Sequence, residues 1–214
     1  DGRLGLVEAV VCLSGMVGFV VFTIGESRAG ATPDAVAAAT LKKPRWLVDG
    51  GFPEVAQDEL VSFGEEARIT REQRIALARL FYQTGDPHRA QQLIQNGFGA
   101  ALEQGIDPTW RDAWELAWPR AFRDDVTAAQ RELQFDPPLV WAVMREESEF
   151  RPEVGSPAGA LGLMQIIPPT ADRIAAALGV TGFEPVKLYN PAVNIRFGTW
   201  YLRSLVERFA GSRP

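Results

Sequence analysis

A single cysteine, a single histidine and no surplus of basic residues set the first limits on what this 214-residue chain can do. Cys12 has no partner for an internal disulfide and cannot build a thiolate zinc site; it reads as a small buried hydrophobe. One imidazole, His88, leaves little room for imidazole catalysis or a histidine-rich metal cluster. Lys and Arg number 22 against 27 Asp and Glu, a net charge of −5. Few cations are then free to displace counterions from phosphates, and nucleic acid is not expected as a partner. The chain also lacks a phosphate-cradling Gly-Lys-Ser/Thr loop and a G-x-G-x-x-G turn. No alternating run is long enough to argue a strand, so the chain reads as all-α. Carboxylates, amides, hydroxyls and backbone groups are what remain for chemistry.

The first long apolar run, Leu4 to Ile24, carries one charge, Glu8, and approaches the roughly 20 residues that a bilayer requires. Two readings stay open for 4–24: a membrane or signal segment that would tie the chain to a membrane, or a buried helix with Gly15 and Gly18 at close contacts. Residues 25–40 turn to Gly, Ala, Thr and Pro, a linker running into a short Ala-rich helix. The chain begins at Asp1 rather than Met and reads as a piece of a longer protein.

A repeat follows. Gly51, Pro53 and Ala56 return 34 residues later as Gly85, Pro87 and Ala90, and Leu47 and Leu60 return as Phe81 and Ile94. A 34-residue period with glycine at the turn and a small residue where two helices cross resembles the tetratricopeptide helical hairpin. In that frame His88 falls in an inter-helix turn, exposed. Trp110, Trp114, Trp118, Phe122 and Val126 then recur at four-residue steps, the spacing of one apolar helix face, interrupted near Pro119. Core packing is the favoured reading of these tryptophans, ahead of a sugar-stacking row.

The chemistry concentrates further on. Asp136-Pro137-Pro138 is a helix start, with Asp136 placed to cap free amides. On the helix that follows, at about 100° per residue, Leu139, Val140, Val143, Met144 and Phe150 average to a direction of about 60°. Glu147 falls at about 80°, within that apolar face, whereas Glu146 lies on its flank and Glu149 points away. A buried carboxyl holds its proton more tightly because desolvation penalises the charged form, which suits a general acid for a departing sugar oxygen. A structural glutamate held by backbone donors or an arginine is the rival reading, and the helix alone does not separate them. Next comes the Gly-punctuated loop Ser156 to Gln165, in which Gly159 and Gly162 permit close backbone approach and Gln165 offers a donor and an acceptor.

Taken together, Arg145-Glu-Glu-Ser-Glu-Phe150, Ser156-x-x-Gly-Ala-x-Gly-Leu-Met-Gln165 and Asn190-Pro-x-x-Asn-Ile-x-x-Gly-Thr-x-Tyr-Leu202 resemble the soluble lytic transglycosylase family in order and spacing. The resemblance implies helical-hairpin repeats followed by a lysozyme-like α domain. With the repeat, it divides the chain into a helical-repeat region (31–121) and a catalytic domain (122–214) whose implied reaction uses no metal or cofactor, after an apolar start and linker (1–30) that the resemblance does not cover. It implies cleavage of the β-1,4 bond between N-acetylmuramic acid and N-acetylglucosamine in peptidoglycan, leaving a 1,6-anhydromuramyl end, in the periplasm or cell envelope. Glu147 maps onto the family's single catalytic acid. Ser148 and Ser156 map onto site-lining hydroxyls, Gly162, Met164 and Gln165 onto the sugar-contacting loop, and Asn194 and Tyr201 onto supporting positions. Because the family's Asn-Ala-Gly groove segment is absent before Pro214, the catalytic domain reads as incomplete at its C-terminus. The rivals are a lysozyme-type hydrolase using the same glutamate, and a non-catalytic peptidoglycan-binding or repeat-mediated interaction protein.

Overall fold

The computed structural model describes residues 6–13, 16–23, 41–64, 69–105 and 110–210. The linker and Ala-rich helix expected at 25–40 lie outside the described residues. From residue 41 onward the described structure is helical, as the composition implied. The departure is the beginning of the chain. Instead of a helix, β1 (Leu6–Leu13) and β2 (Met16–Thr23) form an antiparallel pair, in register from Leu6 opposite Thr23 to Leu13 opposite Met16. Six valines and a threonine fall in these two strands, and β-branched residues fit a pleated strand better than a helix. The apolar length of 4–24 suggested a helix, but its β-branched content decides the element. Among the described residues no helix is long and apolar enough to cross a membrane.

The first helices come as hairpins: α1 (Lys42–Asp49) with α2 (Pro53–Gly64), and α3 (Arg71–Gln83) with α4 (Pro87–Glu103). Their turns repeat atom for atom. Phe52 N donates to Leu47 O and Asp86 N donates to Phe81 O, both at 2.8 Å. Gly51 and Gly85 sit at φ +82° and +86° with nothing near a would-be Cβ, so the left-handed backbone, not space, selects glycine. Thr70 and Gln73 close a reciprocal capping box on α3, and Asp86 caps α4 through Arg89 N. Ala56 and Ala90 are fully buried, where any larger side chain would force the paired helices apart. Leu60, Leu77, Phe81, Ile94 and Phe98 form the core of this region, extended by Ala113 and Leu116 of α5 (Arg111–Ala117).

After Pro119 a second core begins. It is enclosed by α6 (Arg123–Leu133), α7 (Pro137–Ser148), α8 (Pro168–Ala177), a 3-10 turn (Pro185–Tyr189) and α9 (Pro191–Ala210). Met144, Phe150, Leu163, Ile174, Leu188, Ile195 and Phe197 are its largest buried side chains. Each contributes about 1.5–3 kcal/mol of burial. Asp136 occupies the cap position of α7 but makes no side-chain cap bond, contrary to expectation. The two cores meet through specific contacts. Tyr82 Oη of the first donates to Arg120 O at the start of the second (3.1 Å), and within the second Trp141 Nε1 donates to Ala121 O (2.7 Å). His88, expected in an exposed turn, lies largely buried in the first turn of α4, with Nδ1 3.1 Å from Glu149 O and 3.3 Å from Glu149 Oε2.

A bidentate pair ties α6 to α9: Arg196 Nε and Nη2 donate to the Glu132 carboxylate at 2.7–3.0 Å. Hydrogen bonding from Arg196 holds the Glu132 carboxyl below its usual range. A lowered folded-state value adds stability above the unfolded-state pKa, and that stability is lost as pH falls through the folded-state value. Both side chains are partly exposed, so the gain is below about 1 kcal/mol. Urea unfolding of wild type and Arg196→Gln should differ by a few tenths of a kcal/mol at neutral pH. The two should converge as pH falls through the lowered folded-state value of Glu132.

Candidate active site

The site is built where α7 stops. Glu149 and Phe150 both adopt left-handed backbone, at φ 50° and 63°, which costs a non-glycine residue about 1 kcal/mol or more each. The reversal swings Phe150 into the core, 2 % exposed, and that burial compensates the strain. The last helical residue, Ser148, is equally buried, and its hydroxyl lies 3.0 Å from Met144 O and 2.8 Å from Leu163 O. It thereby staples the end of α7 to the 155–166 loop. Expected as a site-lining hydroxyl, Ser148 is a structural strut whose single proton is shared between two carbonyls.

The loop is folded on itself. Leu161 and Ile166 exchange two backbone bonds at 3.1 Å, Gly162 N donates to Val154 O, and Ser156 closes a turn with both amide and hydroxyl bonded to Ala160. Asn194, reaching in from α9, holds it. Its Oδ1 accepts from Met164 N (2.8 Å), and its Nδ2 donates to Leu161 O (2.9 Å) and Leu188 O (2.8 Å). With 1 % exposure and three bonds made, Asn194 is available to the fold and not to a ligand. Gly162 is required twice over: φ is +75°, and a Cβ would stand 2.2 Å from Leu188 O. Met164 is likewise a core residue, packed so closely on Gly198 that a Cβ there would meet its sulfur at 2.2 Å. Gly162 and Met164, expected in the sugar-contacting loop, are therefore buried, as is Asn194, expected in a supporting position. Ser156 and Gln165 are half-buried and Tyr201 is exposed. Gln165 spends its Nε2 on Val154 O and Gly162 O, which leaves Oε1 as its open acceptor.

Glu147 does not sit where the helical wheel put it. It is exposed, so the desolvation expected for it is absent here. The buried line of α7 runs Val140, Met144, Ser148, centred about 80° away from the expected direction. Two residues misdirected that estimate: Leu139 is exposed at the first turn, and Phe150 has left the helix. Glu147 lines none of the cavities of about 510, 240 and 620 Å³. The rival arrangement, a carboxylate locked to a guanidinium, is absent as well. Of the three glutamates, Glu146 lies 3.7 Å from Arg145 and Glu149 contacts His88, whereas Glu147 has no hydrogen bond or ion pair among the described residues. Sequence reasoning missed the His88–Glu149 contact because its partners are 61 residues apart and nothing local signals it.

Comparison with known proteins bears on this geometry. Residues 125–214 match the family described as Transglycosylase SLT domain. The soluble lytic murein transglycosylase of Salmonella typhimurium is 35 % identical over 103 residues, covering 48 % of this chain and 16 % of that protein. The membrane-bound lytic murein transglycosylase C of Actinobacillus pleuropneumoniae is 44 % identical over 77 residues, covering 35 % of this chain and 21 % of that protein. The crystal structure of the 70-kDa soluble lytic transglycosylase of Escherichia coli superimposes with a TM-score of 0.59 at 24 % identity, over 86 % of this chain and 28 % of that one. That likeness shows a shared helical fold. The chain spans less than a third of the length of each of these proteins.

Replacing Gly162 by Ala combines left-handed strain with a backbone clash and removes the register that Asn194 reads. Chemical denaturation should show a loss of about 3 kcal/mol or more. Gly159→Ala, also at positive φ but with open space around it, should lose only about 1 kcal/mol.

Proposed function

We propose that the chain acts as a peptidoglycan lytic transglycosylase, with 122–214 as its catalytic part and 31–121 as a helical-repeat support. The observation that carries the reading is the state of Glu147 within a transglycosylase SLT domain. It alone of the three glutamates ending α7 is accessible and unpaired, next to the residue that staples α7 to the loop. Such a carboxyl is free to meet a glycan.

In this reaction Glu147 donates its proton to the oxygen between N-acetylmuramic acid and N-acetylglucosamine. The substrate's own acetamido oxygen stabilises the anomeric carbon, so the second protein carboxylate of most glycosidases is unnecessary. The carboxylate then takes the proton of the muramyl C6 hydroxyl as the 1,6-anhydro ring closes. Because Glu147 is exposed, the glycan itself must cover it, excluding water so that the carboxyl retains its proton until transfer. In this reading Ser156, Gln165 Oε1 and Tyr201, polar groups of the motif set that are not buried, receive the sugar. The substrate puts the protein in the cell envelope.

Digestion of purified peptidoglycan followed by mass spectrometry should show muropeptides one water lighter than hydrolysis products. Glu147→Gln should lower the rate at least about 100-fold with an unchanged unfolding midpoint. Products of full hydrolytic mass would assign a lysozyme-type reaction instead. Equal inertness of wild type and variant, with both still pelleting with peptidoglycan, would replace catalysis by binding.

A further inference from the structure

A concave, arginine-lined surface that does not include Glu147 lies at the junction of the two cores. Two cavities, of about 510 and 240 Å³, flank the Trp118–Pro119–Arg120 segment and share Trp114 and those three residues as a common wall. Five arginines line them against three carboxylates, in a chain whose net charge is −5. Three arginines are matched: Arg79 with Asp112, Arg111 with Glu115 and Arg145 with Glu146. Arg120 and Arg123 have no carboxylate partner among the described residues, and the neighbouring Asp124 and Asp125 line neither cavity. The junction therefore holds uncompensated positive charge in a concave setting, where field lines concentrate.

Its walls are flat indoles. Trp114 and Trp118 stack at 4.3 Å, the Arg145 guanidinium stands 5.4 Å from the Trp118 ring, and Arg120 stands 5.9 Å from the Trp141 ring. Trp114 Nε1 and Arg145 Nε are buried donors with no acceptor, so this wall carries unused hydrogen-bond donors besides unused charge. Indole faces accept the C–H face of a pyranose, and guanidinium forks accept carboxylates bidentately.

We propose that this junction cleft binds a carboxylate-bearing saccharide, a sugar ring lying against Trp114 and Trp118 with its acid group between Arg120 and Arg123. Resting on the peptidoglycan reading above, the ligand class is the N-acetylmuramyl unit, whose lactyl group supplies an acid on a pyranose. The cleft would then hold a glycan at a second place, separate from the one that meets Glu147.

The test is a titration of the full chain with N-acetylmuramic acid at low salt, read from the indole N–H signals in heteronuclear NMR. N-acetylglucosamine and D-lactate serve as probes lacking the acid and the ring. Saturable shifts of Trp114, Trp118 and Trp141 with the acidic sugar, weakened at least tenfold in Arg120→Gln/Arg123→Gln and retained in Glu147→Gln, are expected. Trp118→Phe, which keeps an aromatic wall, should weaken binding less than the arginine pair does. Equal binding of N-acetylglucosamine or of D-lactate, indifference to the arginine substitutions, loss in Glu147→Gln, or no saturable shift would each overturn the proposal. Because the readout is binding, an inert enzyme would defeat the transglycosylase reading without altering these shifts.

Discussion

One side-chain amide organises the second half of the molecule. Asn194 supplies one acceptor and two donors to three backbone groups on two separate segments, the 161–164 turn and the end of the 3-10 turn at Leu188. An unsatisfied buried backbone group costs about 1–3 kcal/mol, so a residue of different shape at 194 would leave several such deficits at once. Gly162 allows the approach, Ser148 links the result to α7, and Met164 locks onto α9 beside Gly198. The loop is thus held from three sides by polar and steric constraints. Glu147 stands on the one end of α7 that this clasp fixes.

That arrangement separates rigidity from reactivity. The residues that the transglycosylase motifs share are mostly consumed in positioning, and Glu147 is left unencumbered. In the proposed reaction such a carboxyl acts only when a glycan laid across it displaces the surrounding water. The helical hairpins contribute by contact with the same end of α7, where His88 meets Glu149 across the junction. The arginine- and tryptophan-lined cleft occupies the other side of that junction, giving the molecule charge of opposite sign to its overall balance where its two cores touch.

Where local rules decide, the sequence was legible. The paired turns at Gly51 and Gly85, the crossing alanines and the break at Pro119 follow from backbone conformation and side-chain size. The three motifs resemble the family whose model matches residues 125–214, and their order and spacing encode one folded loop against two helices. Other features escaped for physical reasons. The amino-terminal strands were taken for a helix because apolar length was weighed above β-branched content. The face of α7 was misjudged because Phe150 belongs to a left-handed reversal and no longer to the helix. Polar residues such as Ser148 and Asn194 were given to the ligand because a buried, fully bonded amide or hydroxyl looks identical, in sequence, to one awaiting a sugar. The junction contacts of His88 and of the arginines are long-range and have no local signature.

Amide hydrogen exchange at Met164 addresses the clasp most directly, since that N–H points into Asn194 Oδ1 within an otherwise irregular loop. If the loop is held as described, this amide should exchange only through global unfolding, as slowly as the central amides of α9. Exchange at the rate of an open surface loop would contradict the claim that Asn194 fixes the ground on which Glu147 stands.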